Sequence, residues 1–341
     1  MAATVAMGIN EPMSRKSVPE AEHFDKQEDA GSFDHAASYY GKHIEKLSAP
    51  LAVRIVEWAD ITQGQRVLDV GTGTGIAARC AARAVGGQGK AFGIDLSDGM
   101  LDAARYESDR QGLENIRFLK MDSEELGFPD HHFDAVISLC AVAHFPHLDV
   151  ALREIRRSLR PGRKAVVAIG AGRPPWGSGL ARYAIGRLVK MIQSAFQPQL
   201  WAPGAIMDFV DSREPELPTA IFAEWQKRDP YRRLCLAIQE AGFEIDGTGW
   251  TGHTPCFDSA LDFWEAQISI VTAARQRLLH LGAKRLAVLR DEFVASAQRV
   301  LDRNGRLYYP FGAYFVRGRV PDRTLKFRSD GELSERPVRR Q

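Results

Sequence analysis

Apolar and polar positions along this chain fall into two rhythms. From Phe33 to Ala59 the apolar residues recur at helical spacing, with Leu47, Leu51, Ile55 and Trp58 on one face. Short apolar runs then alternate with amphipathic stretches. The runs Arg66–Val70, Lys90–Ile94, Ile116–Lys120, Phe133–Leu139 and Lys164–Ile169 predict strands. The stretches Ile76–Val85, Gly99–Gln111 and Val150–Ser158 predict helices between them. Strands alternating with helices argue for an α/β fold with a parallel sheet covered on both faces.

After Gly170 the rhythm changes. RPPWGSG reads as a loop, followed by a helix over Leu180–Ala195 and a Pro- and Trp-rich stretch to Asp229. A helix over Tyr231–Ala241 and a strand over Phe243–Gly249 resume the alternation. A long helical region, Ser259–Asp302, and a last strand, Leu307–Arg317, close it. The pattern divides the chain into a disordered arm (1–31), a core (32–170), a helical cap insertion (171–229), the remaining core strands (230–320) with a second helical insertion (259–302), and a disordered tail (321–341).

Composition narrows the class. The chain has 341 residues, and its formal net charge of +2 is too small for a dedicated nucleic-acid binder. Cys80, Cys140, Cys235 and Cys256 lie far apart, so neither a disulfide framework nor a zinc site is expected, which fits a reducing cytoplasm. No apolar run approaches the roughly 18 residues of a membrane span, and the N-terminus lacks a signal-peptide pattern. A cytoplasmic protein follows as the expectation.

The chemistry concentrates around VLDVGTGTG. It reads as a buried strand, a glycine turn and a helix start, whose free N–H groups and lack of side chains suit close approach by a ligand. Gly71, Gly73 and Gly75 form GxGxG; Ile76 stands where the dinucleotide GxGxxG has its third glycine. The second strand ends at Asp95, where a carboxylate can accept ribose hydroxyls; the third ends near Asp122, and the fourth near Leu139–Ala141. In an open α/β sheet these carboxyl-end tips share one crevice.

In order along the chain, VLDVGTGTG, GIDLSDGML, MDSEELGFPDHHFDAVIS and LRPGRKAVVAIG resemble the motifs of class I S-adenosylmethionine-dependent methyltransferases. The branch they resemble contains the ubiquinone/menaquinone-biosynthesis enzymes and many small-molecule methyltransferases. The resemblance covers roughly Phe33 to Ile169 and the last helix–strand units. It implies a Rossmann-like seven-stranded sheet, with Leu307–Arg317 as an antiparallel strand near the edge. It implies S-adenosylmethionine as cofactor: Asp69 and the turn Gly71, Thr72, Gly73 and Gly75 at the methionine part, Asp95 at the ribose, Leu96 and Met100 on the adenine. Asp122 and Ser123 would take the adenine edge, Leu139 and Cys140 the floor under the sulfonium, and Tyr39 or Tyr40 the methionine end. Where the family often has LkPGG, Arg163 replaces the second glycine, and nothing functional follows from it.

Methyl transfer needs a nucleophile with a free lone pair, and His144 in LCAVAHF is the candidate base, set against a capping or packing role. His147 lies three residues on, but no carboxylate cluster joins the two, so no metal is expected. His131 and His132 read as a solvated turn. The two insertions are rich in aromatics, which either pack the cap on the sheet or enclose an aromatic or lipophilic substrate. Trp176, Trp201, His253 and Trp264 are the candidate substrate contacts. Arg182, Arg187 and Lys190 read as a solvated helix face. The function expected is O-, N- or C-methylation of a small metabolite, with no nucleic acid and no membrane span; a homodimer stays open. The alternatives are an enzyme of the same fold that binds the cofactor for other chemistry, and a nicotinamide-dependent oxidoreductase, against which GxGxG argues.

Overall fold

The structure, a computed structural model, describes residues 25–174, 184, 185, 188, 205–215 and 229–322. Helix α1 (Lys26–Trp58) begins seven residues before the apolar periodicity does. Asp25 starts it: its carboxylate accepts from the backbone N–H groups of Gln27 and Glu28, satisfying donors that a helix start leaves open. The boundary of the expected arm at residue 31 is therefore corrected, because residues 26–31 are helical. Pro50 sits inside α1 without ending it. Leu47, Leu51, Ala52 and Ile55 are buried around it, and that packing offsets the lost backbone hydrogen bond.

Seven strands form one sheet. They are β1 (Arg66–Val70), β2 (Lys90–Asp95), β3 (Ile116–Lys120), β4 (Phe133–Leu139), β5 (Leu159–Gly170), β6 (Glu244–His253) and, three strands on in sequence, β9 (Phe311–Arg319). Their order is β3-β2-β1-β4-β5-β9-β6, parallel from β3 to β5, with β9 antiparallel to both its neighbours. A parallel pair needs a crossover, and α2 (Ile76–Val85), α3 (Asp98–Arg110) and α4 (Leu148–Ser158) supply them. Helices α1 and α2 bury Leu51, Ile55, Ala77 and Ala81 on one face. On the other, α4 buries Leu152 and Ile155 with Leu234 and Ile238 of α6 (Pro230–Glu240).

Leu307–Arg317 was expected as one strand, and it is broken. Pro310 has no N–H to give a ladder. The residues before it, β8 (Leu307–Tyr308), pair instead with β7 (Cys256–Phe257) in a separate ribbon. The long helical region expected over 259–302 consists of three helices, α7 (Ala260–Ile270), α8 (Thr272–Leu279) and α9 (Ala283–Asp302). With α5 (Ala205–Arg213) they enclose their own core. Trp264 lies in that core, 3% exposed, its ring 5.2 Å from Phe293. Phe257 and Phe263 pack there too, 5.3 Å apart.

Phe293 touches Phe209, Phe263 and Trp264 and is fully buried. Phe293→Ala is expected to cost about 3–5 kcal/mol of unfolding free energy, read from urea titrations. A loss below about 1 kcal/mol would mean that this helical core does not unfold with the part monitored.

Candidate active site

The glycine turn has three left-handed residues in five: Gly71 (φ 68°), Gly73 (φ 53°) and Gly75 (φ 80°). They are not equivalent. A Cβ on Gly71 would lie 2.2 Å from Ala141 Cβ, and one on Gly75 2.8 Å from the Phe118 ring. A Cβ on Gly73 would meet nothing within 4 Å. Gly71 and Gly75 thus allow close packing, and Gly73 presents bare backbone to a cavity of about 400 Å³. Gly75 does not line that cavity; its place is at the start of α2, against Phe118.

The strand tips close around this turn. Asp95, at the end of β2, accepts from Gly73 N–H (2.8 Å) and Ser97 N–H (3.0 Å), pinning the turn to the neighbouring strand. A carboxylate has about four acceptor positions, and the Ser97, Gly73 and Leu96 N–H groups draw on three of them. Burial raises the Asp95 pKa, against the pull of the Ser97 and Gly73 N–H groups. Leu96 and Met100 line the wall beside it. Asp122 and Ser123 line the next stretch, where Lys26 of α1 reaches Asp122 (2.6 Å) and Glu124 (2.7 Å).

Asp69 is 1% exposed at the cavity wall. Its Oδ2 accepts from the Thr72 hydroxyl (2.7 Å), while its Oδ1 is buried without a hydrogen-bond partner. Burial pushes its carboxyl up to about 7, the Thr72 bond and the Ala78 backbone N–H opposing and the charge of Asp95 adding. An orphaned acceptor at the foot of a side-chain-free turn fits a ligand that brings a cationic donor. Leu139 and Cys140 form the floor. Cys140 has φ 61°, a strained conformation for a residue with a side chain. Burial pushes its thiol up to about 12, so it is a neutral wall and not a nucleophile.

His144 ends a short 3-10 turn, Val142–His144, and lines the cavity. Its Nδ1 lies 2.7 Å from Asp29 Oδ2, and Phe33 meets its ring edge-on at 5.1 Å. Asp29 is 5% exposed and takes Gln276 Nε2 (3.0 Å) on its other oxygen. Burial raises the Asp29 pKa, but the His144 and Gln276 hydrogen bonds and the charges of His144 and Arg275 outweigh it, leaving it lowered. Sequence reasoning missed Asp29, since the polar stretch around it carries no apolar period.

Other candidates lie elsewhere. His253 pairs with Phe311 across β6–β9, and Phe311, not His253, lines the cavity. Trp264 belongs to the helical core and not to the cavity, correcting its expected substrate contact; large apolar rings there fill the space between α5, α7 and α9. His131 is fixed through Nδ1 to the Leu159 carbonyl (2.9 Å), and His132 stacks on Phe128. His147 precedes α4, its N–H donating to Glu124. Tyr39 and Tyr40 fall on α1, with side chains outside the described residues. Trp176, Trp201, Arg182, Arg187, Lys190 and the tail beyond 322 also lie outside them.

The sheet order, the glycine turn and the acidic strand tips define an α/β enzyme that holds a nucleoside cofactor at its carboxyl edge. The methyltransferase domain family matches residues 67–162. Aklanonic acid methyltransferase DauC of Streptomyces sp. (strain C5) is 31% identical over 185 residues, 53% of this chain and 82% of DauC. Ubiquinone/menaquinone biosynthesis C-methyltransferase UbiE of Pseudomonas putida is 37% identical over 113 residues, 33% of this chain and 44% of UbiE. The solved YcgJ protein of Bacillus subtilis aligns over 80% of this chain and 98% of its own, 17% identical, with a TM-score of 0.46. The chain belongs to the class I S-adenosylmethionine-dependent methyltransferases. S-adenosylmethionine is its cofactor. Among the described residues no helix is long and apolar enough to cross a membrane.

Asp69 gives a test that needs no ligand. A carboxyl raised in the fold contributes stability that is full below the ordinary carboxylate range and is lost as pH rises through about 7. The urea stability of the cofactor-free protein relative to Asp69→Asn, which cannot ionise, is expected to fall from pH 4 to pH 8. A difference that stays flat over that range refutes the assignment.

Proposed function

We propose that this methyltransferase acts on a small, largely apolar metabolite whose accepting oxygen or carbon gives up a proton, with His144 as the base. The observation that carries the reading is the His144–Asp29 contact at the cavity wall. A carboxylate acceptor would need no such base; a phenol, enol or acidic C–H would. Beyond His144 the cavity is lined by Phe33, Phe145, Ile169, Ile270 and Phe311, which supports an aromatic or lipophilic acceptor. UbiE is named for transfer to carbon, and a carbon acceptor is within this reading.

Bound in the crevice, the cofactor supplies an electrophilic methyl group on a sulfonium. The residues that would hold it are Asp69 at the ammonium, the bare face of Gly73 at the methionine part, and Asp95 at the ribose. Leu96 and Met100 would pack the adenine, with Asp122 and Ser123 at its edge and Leu139 and Cys140 as floor. His144 Nε2 would take the acceptor's proton. Phe33 and Phe145 would keep water from the acceptor and hold it in place. Orientation of this kind is worth up to roughly 7–11 kcal/mol.

Calorimetric titration with S-adenosylmethionine tests the crevice. Asp95→Ala should weaken binding at least about tenfold, since it loses charged hydrogen bonds to ligand and the anchor of Gly73. His144→Gln should bind the cofactor as the wild type does. Its transfer of labelled methyl to a panel of phenolic and enolic acceptors should fall by about 100-fold or more. Unchanged transfer in His144→Gln would remove the base. Wild-type binding with no transfer to any acceptor would favour other chemistry on the same cofactor.

A further inference from the structure

We infer that Asp29 is a positioning residue: with Gln276 behind it, it holds His144 as the Nδ1–H tautomer and so turns Nε2 into the ring's lone-pair nitrogen. The inference rests on the reading of His144 as base. Three separate elements meet here, α1 through Asp29, the turn after β4 through His144, and α8 through Gln276. A carboxylate is acceptor-only, so the imidazole nitrogen 2.7 Å away must carry the proton. Neutral imidazole then has its lone pair at Nε2, on a ring that lines the cavity.

The carboxylate is itself held. Its second oxygen accepts from Gln276 Nε2, which fixes the amide's orientation. Gln276 Oε1 is left buried with no hydrogen-bond partner. An amide oriented for its own satisfaction alone would not leave that acceptor empty. Phe33 closes the geometry: its ring meets His144 edge-on, and the Arg275 guanidinium lies over it, 4.0 Å from its centroid. The charged groups around the pair are thus Asp29 from α1 on His144, Arg275 from α8 acting on Asp29 and, at longer range from His144, Asp95 from β2. The element that carries Gln276 also brings Thr272 to the cavity wall, so the base and the acceptor end share one support.

The tautomer can be read directly. Full-length protein labelled with nitrogen-15 and saturated with S-adenosylhomocysteine is examined by long-range proton–nitrogen correlation of the histidine rings, at rising pH until they are neutral. His144→Gln identifies the His144 signals by their loss. The expected wild-type pattern is a protonated Nδ1 and an unprotonated Nε2. Asp29→Ala should shift the ring toward the Nε2–H form that free histidine prefers, and Gln276→Ala should do so in part. A wild-type Nε2–H pattern overturns the inference, and this needs no variant to fold. So does an unchanged tautomer in folded Asp29→Ala or, should that fail to fold, Asp29→Leu. A wild-type Nδ1–H pattern that Asp29→Ala abolishes, together with full transfer by His144→Gln, sustains this inference and sinks the base.

Discussion

No side chain fits at Gly71. A Cβ there would overlap Ala141, the second residue beyond the tip of β4. That absence brings the turn after β1 and the turn after β4 into contact, and much of the site is built on that contact. Cys140 makes the reversal at φ 61° while its N–H donates to the Ala168 carbonyl. The His144 N–H then donates to the Ala141 carbonyl at 2.8 Å, which folds His144 back over the turn. The strain at Cys140 is held by β4 and β5 on either side of it, an arrangement often found where geometry serves function. Gly73, by contrast, contacts nothing with its bare face, and that is where a ligand can approach.

Much of this fold is written in apolar periodicity. Val67, Leu68 and Val70 are buried on both sides of β1, and the neighbouring β4 and the second half of β5 follow the same pattern. The glycine turn and the acidic strand tips are local signals too, since each depends on a residue type at the end of a strand. Long-range facts were less legible. The break at Pro310 was visible as a proline, but the pairing of Leu307–Tyr308 with Cys256–Phe257 depends on residues some 50 positions apart. Trp264 looked like a ring for a substrate because sequence shows a large aromatic and not which of two cores encloses it.

The first turns of α1 show why Asp29 escaped. Their partners are polar: Lys26 meets Asp122 and Glu124, Asp34 accepts from the Ser97 hydroxyl, and Asp29 meets His144. A segment that docks by charge and hydrogen bonds has the composition of a solvated arm. Apolar periodicity measures burial against a core and is blind to burial against charges. Asp29 is a buried carboxylate, 5% exposed, yet nothing in its neighbours along the sequence marks it. The informative signal would have been the N-cap pattern, Asp25 followed by Glu28 and Asp29, which places a helix start ahead of the apolar stripe.

The charge of the cavity carries the cofactor argument one step further. Five carboxylates line it: Asp29, Asp69, Asp95, Asp122 and Glu124. Lys26 there is engaged by Asp122 and Glu124, and His144 contacts Asp29. Such a wall repels a pyrophosphate, which is the physical counterpart of the missing third glycine in GxGxG. It favours a ligand carrying positive charge, which would offset the burial that raises the Asp69 pKa. Methyl transfer removes the positive charge of the sulfonium. A carboxylate that stays ionised beside the bound cofactor would therefore favour the methylated form over the spent one.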